Sequence, residues 1–192
     1  MTEPNIAFIR NTNDLSPYLP ALLQAKTLAI DLETTGLDPH MHRIRLIQLA
    51  AEGIPTLVID APTFLTEDGK HLLHKILSTP AVKVFQNAKF DLQFLMTMNL
   101  CPAPLFDTML AGRLLYRPGM PHRANLETLA NVYLNEQLDK QEQKGDWEAE
   151  SLTPAQVAYA AKDAEILPRL RKVMIPQLMD ADMKEIAEIE FA

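Results

Sequence analysis

The sequence predicts an α/β fold in which one mixed β-sheet is flanked by α-helices. Three strand-like segments, "TLAID", "RIRLIQLA" and "PTLVIDA", follow one another with only short turns between them, the pattern of an antiparallel meander. Further along, a strand pattern gives way to helical patterns, and strands first with alternating elements later make a mixed sheet with helices around it. The 192 residues, 47% hydrophobic and 22% charged, suffice for a single domain over residues 1–192 with a substantial core.

Taken in order, "NIAFIR" reads as a short strand. "SPYLPALLQA" reads as a helix, with Ser16 as N-cap and Pro17 at its first position. The three meander strands follow, the last pair separated by a turn between Gly53 and Pro55. "LTEDGKHLLHKILS" is helical and "AVKVFQ" is another strand. From "NAKFDLQFLMTMN" onward the chain is mostly helical. Residues 115–125, "LYRPGMPHRAN", form an exposed loop rich in Pro and Gly, and "LDKQEQKGDWEAESL" is a second irregular region. Trp147 there is expected to anchor the segment. Pro168 and Pro176 are expected to kink or break the last helical region, and residues 177–192 read as a C-terminal helical connector. Met96, Met98, Met109 and Met174 are expected to fill core space.

Several classes are disfavoured. No stretch approaches the roughly 18 apolar residues of a membrane helix, and the N-terminal segment has neither the basic nor the apolar region of a signal peptide. Cys101 stands alone, so an intramolecular disulfide is impossible and a reducing cytoplasm fits best. A buried or half-buried filler is the expected role for it. The formal net charge of −7 weighs against a nucleic-acid partner. That objection weakens if four of the acids hold cations, which leaves −3 of the −7.

The acids are unusually placed. In "LAIDLETTGLDP", Asp31 and Glu33 lie two apart at the end of a core-like strand and so share one face. "SLTPAQVAYAAKDAEILPRL" opens a helix with Thr153 as N-cap, Pro154 at the first position and Gln156 completing a capping box. At 100° per residue, Val157, Ala160, Ala161, Ala164 and Leu167 form one apolar face, and Lys162, Glu165 and Arg169 a solvated one. Asp163 belongs to neither, falling with Tyr159, Ile166 and Leu170. Asp91 similarly falls with Phe94, Leu95 and Met98, and Asn87 lies one turn before it, placed to cap that helix or reach the same cleft. Each has a bland reading: a turn cap, a first-turn acid facing the helix dipole, or an ion pair. Together they point to divalent ions, because buried carboxylates are costly without compensation and hard cations take oxygen ligands.

"DLETTGLDP", "QNAKFD" and "YAAKD" resemble the three signature motifs of the DEDD 3′–5′ exonucleases, in their tyrosine-bearing (DEDDy) branch. They span residues 31–163 in the family's order. "FDTMLAGRLL" and "LDKQEQKGDW" further resemble segments of ribonuclease D and of the proofreading domains of polymerase I-type enzymes. The resemblance implies a ribonuclease H-like fold with about five strands, and two divalent ions, Mg²⁺ or Mn²⁺. It implies that Asp31, Glu33 and Asp163 hold one ion and that Asp31 and Asp91 serve the other. Tyr159 would orient the attacking water, Leu37 would wedge against terminal bases, and Asn87 would lie near the terminal nucleotide. Thr34 is taken as a further substrate-side candidate. Phe90 is available for apolar contact with bases, with a core role as the plainer alternative. Arg117 and Arg123 are the preferred phosphate contacts, with Lys89, Arg113 and Lys162 as further candidates, each weighed against an ordinary surface charge.

The implied activity is 3′–5′ exonucleolytic hydrolysis of single-stranded DNA or RNA from its 3′ end, releasing nucleoside 5′-monophosphates. The ending "PQLMDADMKEIAEIEFA" resembles a connector to a polymerase and tilts the reading towards DNA, with a DNA polymerase as a partner. The alternatives are ribonuclease D-like RNA trimming, a non-catalytic nucleic-acid-binding module on the same fold, and a ribonuclease H-type endonuclease. A degenerate module would have lost at least one acid, and an endonuclease does not require the Tyr159–Asp163 pairing.

Overall fold

The computed structural model describes residues 5–121, 123–138, 145–181 and 183. It contains one six-stranded sheet in the order β1-β4-β3-β2-β5-β6. The strands are β1 (Ile6–Ile9), β2 (Thr27–Thr34), β3 (Ile44–Ala50), β4 (Thr56–Asp60), β5 (Val82–Phe85) and β6 (Leu105–Asp107). The β2–β3–β4 meander is antiparallel as expected, whereas β1 joins β4, β5 joins β2, and β6 joins β5, all in parallel. The sixth strand exceeds the expected five because "LFD" is too short to show alternation. It gains strand geometry from pairing Leu105–Asp107 with Lys83–Phe85.

Helices cover both faces. One carries α1 (Thr12–Leu15), α2 (Leu19–Gln24), α3 (Ala61–Phe64), α4 (Glu67–Leu77) and α5 (Ala88–Thr97). Leu28, Ile30 and Leu32 of β2 pack on that side with Leu22, Phe64, Leu73 and Phe94. The other carries α6 (Thr108–Leu114), α7 (Leu126–Leu134) and α8 (Pro154–Asp180). There Ala29, Ala50 and Val84 meet Ala164, Leu167 and Leu170. The alternation of β2 thus sends its apolar residues one way and, after Ala29, its two acids the other way, towards α8.

Four expectations are corrected. The first helix begins at Thr12 under an Asn11 cap that accepts from Asn13 and Asp14; Ser16 and Pro17 instead start a 3₁₀ turn leading into α2. Of the kink or break expected at Pro168 and Pro176, the break does not occur: residues 154–180 are one continuous helix. Each proline costs roughly 3 kcal/mol. Five large side chains beyond Ala164, namely Ile166, Leu167, Leu170, Met174 and Leu178, are buried along it, each worth about 1.5–3 kcal/mol, and the sum outweighs the prolines. Met96 is 59% exposed, on the outer side of α5, whereas Met174 is buried. Cys101 is exposed just past α5, in an irregular stretch whose neighbours Leu100 and Pro102 take the buried positions.

The Thr153–Gln156 capping box is present, and Trp147 anchors its irregular segment against Leu46, Val58, Ala160 and Ala161. Most of the connector expected at 177–192 and residues 139–144 of the second irregular region lie outside the described residues. No helix among the described residues is long and apolar enough to cross a membrane.

Candidate active site

The cleft forms where β2 outruns its parallel neighbour. β5 pairs with β2 only at Thr27, Leu28 and Ala29, while β3 continues alongside to Thr34. Residues 30–34 therefore present a free flank at the carboxyl end of a central strand, and α5 begins beside it. Strand carboxyl ends at such changes of direction are where open α/β sheets bind ligands. An irregularity in the β2–β3 register between Glu33 and Thr34 ends the regular ladder there.

Asp31 and Glu33 project from this flank towards α8, which supplies Tyr159 and, one turn later, Asp163. A carboxylate oxygen from each of Asp31, Glu33 and Asp163 can be chosen so that all lie within 4.8 Å of one another. Asp91, on the first turn of α5, stands outside that triad but close enough for its charge to act on Asp31 and Glu33. The Tyr159 hydroxyl donates a hydrogen bond to Asp163. Four acids and a tyrosine from three separate stretches of chain are thus brought together.

Their electrostatics are adverse. Burial, then the charges of Asp91, Glu33 and Asp163, push Asp31 well above the usual carboxylate range. Burial and the charges of Asp163 and Asp91 push Glu33 up to about 8. Burial does the same to Asp91, against the pull of backbone amides at Asp91 and Leu32. Asp163 rises to about 6 through burial, tempered by the Tyr159 hydroxyl. Burial and the neighbouring acids also drive Tyr159 far upward, so it stays protonated. Among the described residues no ion pair reaches any of the four acids. Asp91 is 2% exposed and its Oδ1 has no hydrogen-bond partner. Oxygen donors that are close, uncompensated and in part orphaned fit a hard divalent cation, which relieves the repulsion that otherwise protonates them.

The substrate-side candidates lie on several elements. Thr34 turns its hydroxyl inward to the Gly36 carbonyl at 2.7 Å. Leu37 is 81% exposed on the following loop. Asn87 is exposed in left-handed backbone geometry (φ 61°, ψ 53°) at the start of α5, and its side chain makes no cap. Phe90 is only partly exposed and packs at 5.4 Å, centroid to centroid, on the buried Phe94, so core contact accounts for much of its ring. Arg117 and Arg123 are exposed on the α6–α7 connection, where Arg123 helps line a cavity of about 240 Å³ with Arg113, Tyr116 and Tyr133. Lys162 is engaged with Glu136 and Glu165 at 3.6 and 3.4 Å, on the solvated face of α8.

Two polar residues escaped the sequence reading. Gln48 lies opposite Asp31 in the β2–β3 ladder, is 0% exposed, and has neither amide atom partnered. As a polar residue in "RIRLIQLA" it reads as solvent-facing, although by alternation it shares a face with Leu46 and Ala50, and the helix laid over that face buries it. Asp107 is buried and accepts from the amides of Asn87 (3.0 Å) and Ala88 (2.9 Å). It, rather than Asn87, holds the start of α5.

The profile of the 3′-5′ exonuclease family matches residues 6–179. The chain belongs to that family. As a 3′-5′ exonuclease it is a hydrolytic enzyme, and the family shows directly in its relatives. It is 32% identical over 182 residues to DNA polymerase I of Aquifex aeolicus (strain VF5), covering 95% of this chain and 29% of that protein. It is 31% identical over 172 residues to ribonuclease D of Pseudomonas paraeruginosa (strain DSM 24068 / PA7), covering 88% of this chain and 44% of that protein. The chain therefore spans less than half the length of these curated relatives. Brucella melitensis NrnC superposes with a TM-score of 0.81 at 31% identity, over 97% of this exonuclease and 88% of that chain; other structures of NrnC contain bound Mg²⁺ or pGG. The catalytic core of RRP6 from Trypanosoma brucei, at 23% identity and a TM-score of 0.86 over 100% of this chain and 52% of that one, shares the fold. The expected ribonuclease H-like architecture is the one these neighbours share.

Proposed function

We propose that this exonuclease removes nucleotides one at a time from the 3′ end of single-stranded nucleic acid, DNA in preference to RNA, releasing nucleoside 5′-monophosphates. The observation that supports it most is the convergence of Asp31, Glu33 and Asp163 within 4.8 Å, beside a buried, orphaned Asp91 oxygen. Asp31, Glu33 and Asp163 would hold one divalent ion, and Asp31 with Asp91 a second, Mg²⁺ or Mn²⁺. Such ions, when bound, acidify water to a nucleophile near neutral pH and stabilise the departing 3′-oxygen.

The chain's own residues do the rest. Tyr159, kept protonated by its acidic surroundings and pinned by Asp163, is an orienting hydroxyl, not a general base. Its position beside Asp163 lets it align the attacking water through a lone pair on the phenol oxygen. Leu37, standing clear of the surface, would wedge against the terminal base, and Phe90 would offer the exposed part of its ring. Thr34 and Asn87 flank the terminal nucleotide. Arg117 and Arg123 would meet the strand's phosphates, supplying local positive charge in a chain whose net charge is −7.

The DNA preference rests on the similarity to DNA polymerase I over 95% of this chain, which also makes a DNA polymerase the partner we favour. Ribonuclease D-like trimming of RNA is the second reading, favoured by the ribonuclease D relatives. Incubation with 5′-labelled single-stranded DNA and RNA, in Mg²⁺, Mn²⁺ or chelator, tests all of this. A ladder that shortens from the 3′ end and stops on chelation is expected, faster on DNA. Internal cuts, or intact strands in every metal, would refute it.

A further inference from the structure

We propose that Asp107 is the positioning residue that sets Asp91 in the cleft, acting through the first turn of α5. The inference rests on the reading of Asp91 as an ion-holding acid.

The chain leaves β5 and enters α5 through only Gln86 and Asn87. The first amides of any helix lack partners within it, and a side chain at the N-cap ordinarily supplies one. Asn87 does not: its side chain makes no cap bond and its backbone is held in the left-handed region. The missing acceptor comes from the end of β6. Asp107 Oδ1 accepts from the Asn87 amide at 3.0 Å and Oδ2 from the Ala88 amide at 2.9 Å. The same Oδ1 accepts from Met109 at 2.8 Å and, more weakly, from Leu110 at 3.4 Å, capping α6.

One carboxylate therefore ties the starts of two helices to a single strand end. Thr108 reinforces the junction, its one hydroxyl proton shared between the Phe85 carbonyl at 3.0 Å and Gln86 Oε1 at 2.6 Å, and Gln86 in turn donates to the Ala124 carbonyl at 2.8 Å. Asp91 lies one turn beyond Ala88. Its carboxyl accepts from the Leu32 amide of β2 while its Oδ1 has no hydrogen-bond partner, so where that oxygen sits follows from the start of the helix together with this one tie to β2. The carboxylate that fixes that start is Asp107.

A plain N-cap of α6 would show the same bonds to Met109 and Leu110, and two substitutions separate the roles. Asp107→Ser keeps a short acceptor able to cap α6 but cannot reach Asn87 or Ala88. Asp107→Asn keeps the shape and one carbonyl oxygen. Mn²⁺ uptake by calorimetry, thermal melting and steady-state kinetics on a single-stranded oligonucleotide are compared with the unaltered chain. Asp107→Ser is expected to melt cooperatively, to bind Mn²⁺ roughly 10-fold more weakly, and to lose kcat while keeping KM; Asp107→Asn falls between. Unaltered Mn²⁺ affinity in the folded variants, with kcat retained, overturns the proposal while leaving the exonuclease reading intact. If Asp107→Ser does not fold, Asp107→Asn decides by the same two readouts. An unsubstituted chain that takes up no metal overturns both.

Discussion

With metal removed by chelator, raising the pH should destabilise the cleft from within, and Glu33→Gln should remove the share of that sensitivity that Glu33 carries. Folding lifts the Glu33 carboxyl from 4.5 to about 8, through burial and then the charges of Asp163 and Asp91. The folded state thus holds this proton more tightly than the unfolded chain. Its contribution to stability is complete below about pH 4.5 and is lost as pH rises through about 8. The full shift corresponds to about 5 kcal/mol. Glu33 is partly exposed, and solvent screening brings a realistic figure to about 2 kcal/mol. For a chain of this size that is a fall of about 4–8 °C in melting temperature. Circular-dichroism melts in chelator between about pH 5 and pH 9 provide the assay, with the Glu33→Gln protein as reference, which lacks the Glu33 titration and the part of the Asp31 shift that the Glu33 charge causes. The wild-type curve should fall below that of Glu33→Gln as pH rises, and saturating Mg²⁺ should reverse the trend, because the ion requires ionised ligands. Parallel curves across the range would refute the crowding of acids from which the function is argued.

Other outcomes follow from the same geometry. Asp31→Ala and Asp163→Ala should lose essentially all hydrolysis, whereas Tyr159→Phe should retain a measurable rate, roughly 10- to 100-fold reduced; equal and complete loss in all three would contradict an orienting role for the phenol. Gly69→Ala in α4 should lower stability by at least about 2 kcal/mol, against the gain of about 1 expected from helix propensity. The added Cβ would lie 1.9 Å from the Phe64 carbonyl oxygen; a melting temperature at or above wild type would refute the clash. Arg117→Ala and Arg123→Ala should each raise KM for a single strand and flatten its logarithmic salt dependence by about 0.7 per lost phosphate contact. An unchanged slope would return these side chains to the ordinary surface.

Much of the site was legible because its acids violate local patterning. Asp31 and Glu33 interrupt an apolar strand, and Asp91 and Asp163 sit on apolar helix faces, so the anomaly shows without coordinates. The meander was equally plain, since alternation and short turns are local signals. What stayed hidden depends on distant chain. β6 is three residues long and exists by virtue of its pairing with β5. The helix through Pro168 and Pro176 persists because the sheet, α6 and α7 bury one side of it, which propensity does not register. Lys83 in the strand "AVKVFQ" is fully buried, its ammonium donating to the carbonyls of Thr79 and Ala103, which its charge alone does not foretell. Gln48 carries no motif, and Asp107 lies in "FDTMLAGRLL" without a role that the segment itself displays; the importance of both arises from the neighbours that folding brings to them.

The early end of β5 has a consequence for how this protein tolerates change. The carboxyl end of β2 pairs with one strand only, and its acidic side chains contribute no rung to the sheet. Chemistry there is mounted on a lip, not on a keystone. Residues 31 and 33 can therefore be exchanged while the platform beneath them stands, so an altered specificity or a silenced catalyst is reachable by few steps from the same scaffold.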